Sequence, residues 1–383
     1  MRIAFVEIGD PSNCHYWSGI PFAVLSELRR RGVDVQVIAP LNRRLKYLYA
    51  GQRIRYRCLG KCFHPDRQPL MLRWYAEQVR RRLKEGSADV VFSTSSIPIS
   101  YLDCAAPIVY WTDAVWATSV DYYESNSNLA PVTQRNGNRQ EQSALDRAAF
   151  AAYSSEWAVK SVTQHYRVDP RKIKLIPFGA SVEVDNDPEA TRSMIEHREP
   201  DVCRLLFFGV DWQRKGGPIA LETARLLNTA GVPTRLTVLG CNPFNGHKPD
   251  FVDHIGFISK ATEEGRRQIT SLLRQSHFLF MPVRAECAGI VFCEASAYAV
   301  PIVATDTGGV TTYVRNGING VTLPPSAQPD DYAKEIQRLF ANRSAYKQLA
   351  SGAFREYQTR LNWRSGVDQL LTLAKQAVGN RKL

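Results

Sequence analysis

Short apolar runs, each followed by a polar loop and then by apolar residues at helical spacing, constrain this chain more than any other feature. Residues 3–7 form such a run. The loop 8–19 (IGDPSNCHYWSG) follows, and then Phe22, Ala23, Leu25 and Leu28 recur at the period of a helix. Gly32 stops that helix, and 33–38 reads as a second strand. Strand, helix and strand in that order build a parallel sheet. The same reading gives strands at 89–93, 108–111, 150–154 and 174–177, and again at 205–208, 236–239, 278–282 and 301–304. In the second half the helices are marked by Ile219, Thr223, Leu226, Leu227 and Ala230, by Ile269, Leu272 and Leu273, and by 333–341, with a basic tail over 345–383. The fold class is therefore α/β.

Between the two series lies 182–201, rich in Asp, Glu, Pro and Asn and without a strong period. It reads as a linker between an N-terminal domain, 1–181, and a C-terminal domain, 202–360. Two domains suit a chain of 383 residues. The triplet Asp185-Asn186-Asp187 has the form of a metal-binding D-x-D, but in so polar a segment it reads as a solvated run. The eight cysteines are dispersed and make no disulfide framework. Cys58, Cys62 and His64 lack a second pair at zinc-finger spacing and read as ordinary side chains. No metal and no cofactor is expected. No apolar run reaches the ~20 residues of a membrane helix. The start, MRIAFVEIGD, turns acidic too soon for a signal peptide. A cytoplasmic protein is expected.

The formal charge is +12, and its placement matters more than its size. Residues 29–84 hold sixteen Lys and Arg against three acids, Asp34, Asp66 and Glu77, so the rest of the chain is close to neutral. Tyr47, Leu48, Tyr49, Phe63, Trp74 and Tyr75 are interleaved with those cations. Cations mixed with aromatic and apolar residues suit an anionic membrane surface, on the cytoplasmic face. The same mixture is compatible with a solvated surface. No nucleic-acid-binding motif accompanies it, and nucleic acid is not expected as a partner.

Three stretches carry candidate chemistry. In RAECAGIVFCEASAYAVPIVATDTGG, residues 284–309, Glu286 and Glu294 flank the small-residue turn Cys287-Ala288-Gly289 and the start of an apolar helix at Ile290. A helix start with small residues admits a phosphate to its free N–H groups, and a carboxylate one turn in accepts from sugar or ribose hydroxyls. Read alone, the pair also fits two Glu flanking a core helix. A glycoside hydrolase would need its carboxylates at roughly 5 to 9.5 Å, whereas eight residues of continuous helix span about 12 Å. The second stretch is the turn 209–217, GVDWQRKGG, which sets Arg214 and Lys215 between a strand end and a helix start, a suitable pair for a diphosphate. In the third, Asp113 follows a strand, where side chains line the ligand crevice of a parallel sheet. It reads equally as a helix N-cap. Gly19, a single glycine at a helix mouth, could admit a phosphate or sugar, but G-x-G-x-x-G is absent.

Lys215-Gly216 after a strand, Glu286-x7-Glu294, and Ala304-Thr305-Asp306-Thr307-Gly308-Gly309, in that order, resemble the retaining nucleotide-sugar glycosyltransferases of family 4. The likeness is strong over 205–321 and weaker over 1–179, where it includes Ser18-Gly19, Ser154-Ser155-Glu156-Trp157 and Pro177-Phe178-Gly179. It implies the GT-B architecture: two Rossmann-like domains facing a central cleft, with a C-terminal helix, here 361–383 from Asn362-Trp363 onward, crossing back to the N-terminal domain. It implies that Arg214 and Lys215 grip the donor diphosphate. Glu294 would then hold the ribose, and Glu286 with the amides of Ala288, Gly289 and Ile290 the sugar and phosphate. Gly209 and Gly19 would let their loops come close to the donor. Four positions depart from the family pattern: Val210 replaces an Arg, Asp113 a His that contacts the donor sugar, Cys287-Ala288 a Gly-Phe, and Ser18 a Gly.

The expected reaction is metal-independent transfer of a sugar, with retention, from a nucleoside diphosphate to a saccharide or lipid-linked saccharide, as in bacterial-type polysaccharide or glycolipid synthesis. A nucleotide-sugar epimerase of the same architecture and a non-catalytic nucleotide-sugar binder are the other readings.

Overall fold

The computed structural model describes residues 1–182, 187–244 and 246–381. The chain divides into two compact units, Met1–Pro177 with Gly366–Leu383, and Phe178–Ser365. Each contains one six-stranded sheet.

In the first unit the strands are β1 (Arg2–Val6), β2 (Asp34–Ile38), β3 (Val90–Ser93), β4 (Ile108–Thr112), β5 (Ala148–Tyr153) and β6 (Ile173–Leu175), in the order β2-β1-β3-β4-β5-β6. All neighbours are parallel. Strands covered on both faces read as continuous apolar runs, and Val90, Val91 and Phe92 of β3 are buried, as are Val109, Tyr110 and Trp111 of β4. The helix Ile20–Arg30 buries Val24, Leu25 and Leu28; of the residues that marked it in the sequence, Leu25 and Leu28 are buried, Ala23 is half-buried and Phe22 is exposed. β1 has its successor β2 on one side and β3 on the other. The loops leaving β1 and β3 therefore diverge, which opens a crevice at the carboxyl ends of the strands.

The second unit repeats the plan with β7 (Cys203–Phe208), β8 (Thr234–Leu239), β9 (Val252–Gly256), β10 (Phe278–Met281), β11 (Ile302–Thr305) and β12 (Gly320–Leu323), in the order β12-β11-β10-β7-β8-β9. Its neighbours are parallel throughout, and its switch point lies between β7 and β10.

Three expectations are corrected. The polar segment 182–201 is not linker throughout. Asp187 caps a helix, Pro188–Glu196, by accepting from the Glu189 amide at 2.9 Å. Arg198, 4% exposed, donates to the carbonyls of Tyr298 and Ala299 and to the Tyr346 hydroxyl, at 2.6, 2.6 and 2.7 Å. A charged side chain satisfied by buried acceptors ties this stretch to the second unit. Asp185 and Asn186 of the D-x-D triplet lie outside the described residues. The basic tail 345–383 is mostly two helices, Arg343–Thr359 and Trp363–Asn380, the first preceded by an Asn342 cap. The helix expected at 333–341 starts earlier, at Pro329, with a capping box between Gln328 and Asp331. β9 and β12, which periodicity did not reveal, complete the second sheet.

Candidate functional site

At the switch point of the second unit, the loops after β7 and β10 are stitched together. The Arg284 amide donates to the Arg214 carbonyl at 2.8 Å, and the Gly309 amide, from the loop after β11, to the Glu286 carbonyl at 2.9 Å. Gly216 permits the first loop's turn into the helix Gly217–Thr229. Its φ is +80°, and a Cβ there would lie 1.9 Å from the Pro282 carbonyl oxygen, so only glycine serves. Asp211 shapes the loop by accepting from the Arg214 amide at 3.0 Å and from its Nε at 3.2 Å.

The result is a compact ionic cluster. Lys215 Nζ donates to Glu286 Oε2. Arg214 Nη1 lies 3.8 Å from the same oxygen and donates to the Ala285 carbonyl at 2.9 Å. Lys215 and Glu286 are largely withdrawn from water, which strengthens their attraction and makes either partner costly to leave alone. Val210 is exposed and carries no charge, so the second cation of the cluster is Arg214.

The helix Ile290–Ala297 starts beside this cluster, with Gly289 as N-cap and no side chain capping it. Gly289 is hemmed in, since a Cβ would meet the Phe292 ring at 2.4 Å. Ala288 is the half-buried residue before it, and Cys287 is buried. Cys287-Ala288 thus keeps the turn small. One turn in, Glu294 is fully buried. Its Oε1 accepts from Lys260 Nζ, and its Oε2 has no hydrogen-bond partner among the described residues. Lys260 also lies 5.2 Å from the centre of the Phe208 ring. Reasoning from sequence missed Lys260, which sits in a loop after β9 and is brought to Glu294 across 34 positions. Two cations, an uncapped helix start and a buried carboxylate with a free oxygen are together suited to an anion that also carries hydroxyls.

Gly19 and Asp113 belong to the first unit. Gly19 caps the helix Ile20–Arg30 with φ of +77°, and a Cβ there would sit 2.8 Å from the Cys14 carbonyl oxygen. Asp113 is not a helix N-cap, a role that falls to Val115. It lines a cavity of about 530 Å³ at the ends of β1, β3 and β4. Next to that crevice Glu7 is fully buried, with Oε1 accepting from the Thr94 amide at 2.7 Å and from its hydroxyl. Burial pushes the Glu7 carboxyl up to about 7 against the opposing hydrogen bonds from Thr94. Burial likewise raises the Glu141 carboxyl, with Arg67 and Ser96 pulling the other way.

Two family models match the chain, "Glycosyltransferase Family 4" over residues 22–184 and "Glycosyl transferases group 1" over 203–342. The chain belongs to the group 1, family 4 glycosyltransferases. Among its relatives is a D-inositol 3-phosphate glycosyltransferase of Nocardiopsis dassonvillei, 27% identical over 237 residues, which are 58% of this chain and 55% of the relative. A protein of the same description from Paenarthrobacter aurescens is 24% identical over 349 residues, 83% of this chain and 82% of the relative. For the first of these relatives the match spans about half of the relative's length. Among solved structures, sucrose-phosphate synthase from Thermosynechococcus elongatus superposes with a TM-score of 0.70 at 15% identity, covering 99% of this chain and 100% of that one. Anabaena HepE in complex with UDP-glucose superposes with a TM-score of 0.61 at 16% identity, covering 99% of each chain. The fold of the family member described here is thus GT-B, built from two Rossmann-like domains. Among its described residues there is no group of three or more His, Cys, Asp or Glu that could hold a metal ion, and no helix is long and apolar enough to cross a membrane.

Proposed function

We propose that the chain moves a sugar from a nucleoside diphosphate to a saccharide or lipid-linked saccharide acceptor, with retention at the anomeric carbon and without a metal. The observation that carries this reading is the Arg214–Lys215–Glu286 cluster beside the uncapped helix start at Gly289. As the bond from the anomeric carbon to the phosphate oxygen breaks, negative charge grows on the departing diphosphate. Arg214, Lys215 and the amides of Ala288, Gly289 and Ile290 are the donors aimed at that charge, and fixed donors lower the barrier most where charge develops. Glu294 Oε2 accepts from a ribose hydroxyl while Lys260 holds the other oxygen. Glu286 accepts from the donor sugar, and Gly209 keeps the first loop close, since a Cβ there would meet Lys215 Cγ at 2.9 Å. The new bond forms to the acceptor oxygen, and its proton passes to the leaving phosphate oxygen, so no side-chain nucleophile is needed.

The name of the D-inositol 3-phosphate glycosyltransferase relatives supports glycosyl transfer, and the UDP and UDP-glucose complexes of HepE support a nucleotide-sugar donor and make uridine the first base to try. The test is a thermal-shift panel of UDP, GDP, ADP and their sugars. The cognate ligand at about 100 times its Kd adds ~2.7 kcal/mol of stability. No shift with any of them would overturn the reading. Nucleotide released only when an acceptor is present distinguishes transfer from epimerisation. NMR of the product's anomeric configuration tests retention.

A membrane-facing surface belongs to the same proposal. Residues Arg44–Tyr49 and Ala50–Cys58 form two consecutive helical segments with no buried residue. Tyr47, Leu48, Ile54 and Leu59 are each more than 60% exposed there, beside six cations and no acid over 44–61. Exposed apolar side chains among unopposed cations are suited to anionic headgroups and the acyl boundary beneath them.

A further inference from the structure

The cavity at the carboxyl ends of β1, β3 and β4 is lined by two cations, Arg43 and Arg67, and three carboxylates, Asp66, Asp113 and Glu141. Both cations are already engaged. Arg43 donates to Asp66. Arg67 donates to the Gln140 side chain, lies 3.9 Å from Glu141 Oε2, and stacks over Trp116 with its guanidinium carbon 4.1 Å from the ring centre. A phosphomonoester is a dianion and wants an excess of cations around it. This cavity holds three carboxylates against two cations.

What the cavity does offer is an acceptor for hydroxyls. Glu141 is 1% exposed, and its Oε2 accepts from the Ser96 hydroxyl at 2.8 Å. Its Oε1 is buried with no hydrogen-bond partner among the described residues. A buried polar oxygen left without a partner is costly and calls for a ligand or an ordered water. Half-buried Tyr16, Trp17 and Tyr123 supply apolar wall beside it, as sugar sites require for the C–H face of a ring.

We propose that this cavity holds the acceptor as an unphosphorylated sugar ring, a neutral polyol bonded through a hydroxyl to Glu141, and that it discriminates against phosphorylated polyols. This rests on the glycosyltransferase reading, and it departs from the phosphorylated inositol in the relatives' names. The excess of carboxylates over cations, not the size of the cavity, sets the preference.

Saturation-transfer NMR on the full chain tests it with matched probes: myo-inositol and the methyl pyranosides of glucose, galactose and mannose, each beside its monophosphate. The expected result is binding of at least one neutral member, with its monophosphate at least ten-fold weaker. Glu141→Gln removes the counter-charge of Arg67 and is expected to weaken the neutral member and narrow that ratio several-fold. Asp66→Asn, at a partly exposed position, releases Arg43 and is expected to narrow the ratio in the same direction, which keeps the test alive if Glu141→Gln does not fold. A monophosphate that binds wild type more tightly than its neutral partner overturns the proposal. So does the absence of binding by every neutral member, or a ratio unmoved in both variants. Nucleotide binding to the second unit, followed separately by thermal shift, reports on the glycosyltransferase reading alone, so the two can fail independently.

Discussion

Two residues show how burial and pairing set chemistry one side chain at a time. Glu7 is buried against Thr94, and its carboxyl rises from 4.5 to about 7. The folded state therefore holds the proton more tightly than the unfolded chain. The stability that Glu7 confers is complete below pH 4.5 and is lost as the pH climbs through 7. A shift of that size is worth about 3 kcal/mol. Glu7→Gln, which cannot ionise, is expected to gain about that much relative to wild type between pH 4.5 and 7, read as the difference in denaturant midpoints across the range. Lys260 is the other case. It is the ion-pair partner of a fully buried carboxylate, and removing one member of such a pair is costly. Lys260→Met is expected to weaken nucleoside diphosphate binding about ten-fold or more by calorimetry. The loss should be smaller for a 2′,3′-dideoxy analogue, which has no ribose hydroxyl to offer Glu294. Neither effect could be read in sequence. Glu286 and Glu294 stood out by spacing, but their partners Lys215 and Lys260 reach them across 71 and 34 positions, and only folding fixes which cation meets which carboxylate.

At the scale of elements, the central strands of both sheets were legible, as were β2 and β6 at the edges of the first, but the edges of the second were not. Runs such as Val90–Ser93 and Phe278–Met281 are buried at every position, and continuous burial writes a continuous apolar run. β9 and β12 are the two edges of their sheet, and each is only partly buried, VDHIG and GVTL. Edge strands carry polar residues because one side faces no neighbour, so their signal fades into the loops around them. The polar segment before β7 misled for a related reason. The helix Pro188–Glu196 is short, and what anchors the segment is Arg198, a cation that composition assigns to the surface. Arg198→Ala strips three buried acceptors of their donor. Each unsatisfied group costs about 1–3 kcal/mol, so the variant is expected to lose about 3 kcal/mol or more of stability. Thermal unfolding with wild-type melting would show that the segment is a linker after all.

At the scale of the whole chain, the even spacing of strand and helix signals announced two α/β domains, and the family models cover both. The charge map adds what the fold alone does not. With the net charge concentrated in residues 29–84 and large apolar side chains exposed over 44–61, binding to anionic vesicles is expected in flotation assays and should weaken as salt shortens the Debye length from about 10 Å at 0.1 M to 3 Å at 1 M. Equal binding to neutral and anionic vesicles would remove the electrostatic part of that reading. The proposed donor site turns on one lysine, Lys215, which is held by Glu286 and would neutralise the charge of the leaving diphosphate. The decisive measurement is the rate of sugar transfer by Lys215→Ala, with the donor found in the ligand panel. A loss of about 10²–10³-fold, as for other groups that stabilise a developing anion, is predicted; a variant that turns over at the wild-type rate contradicts the assignment.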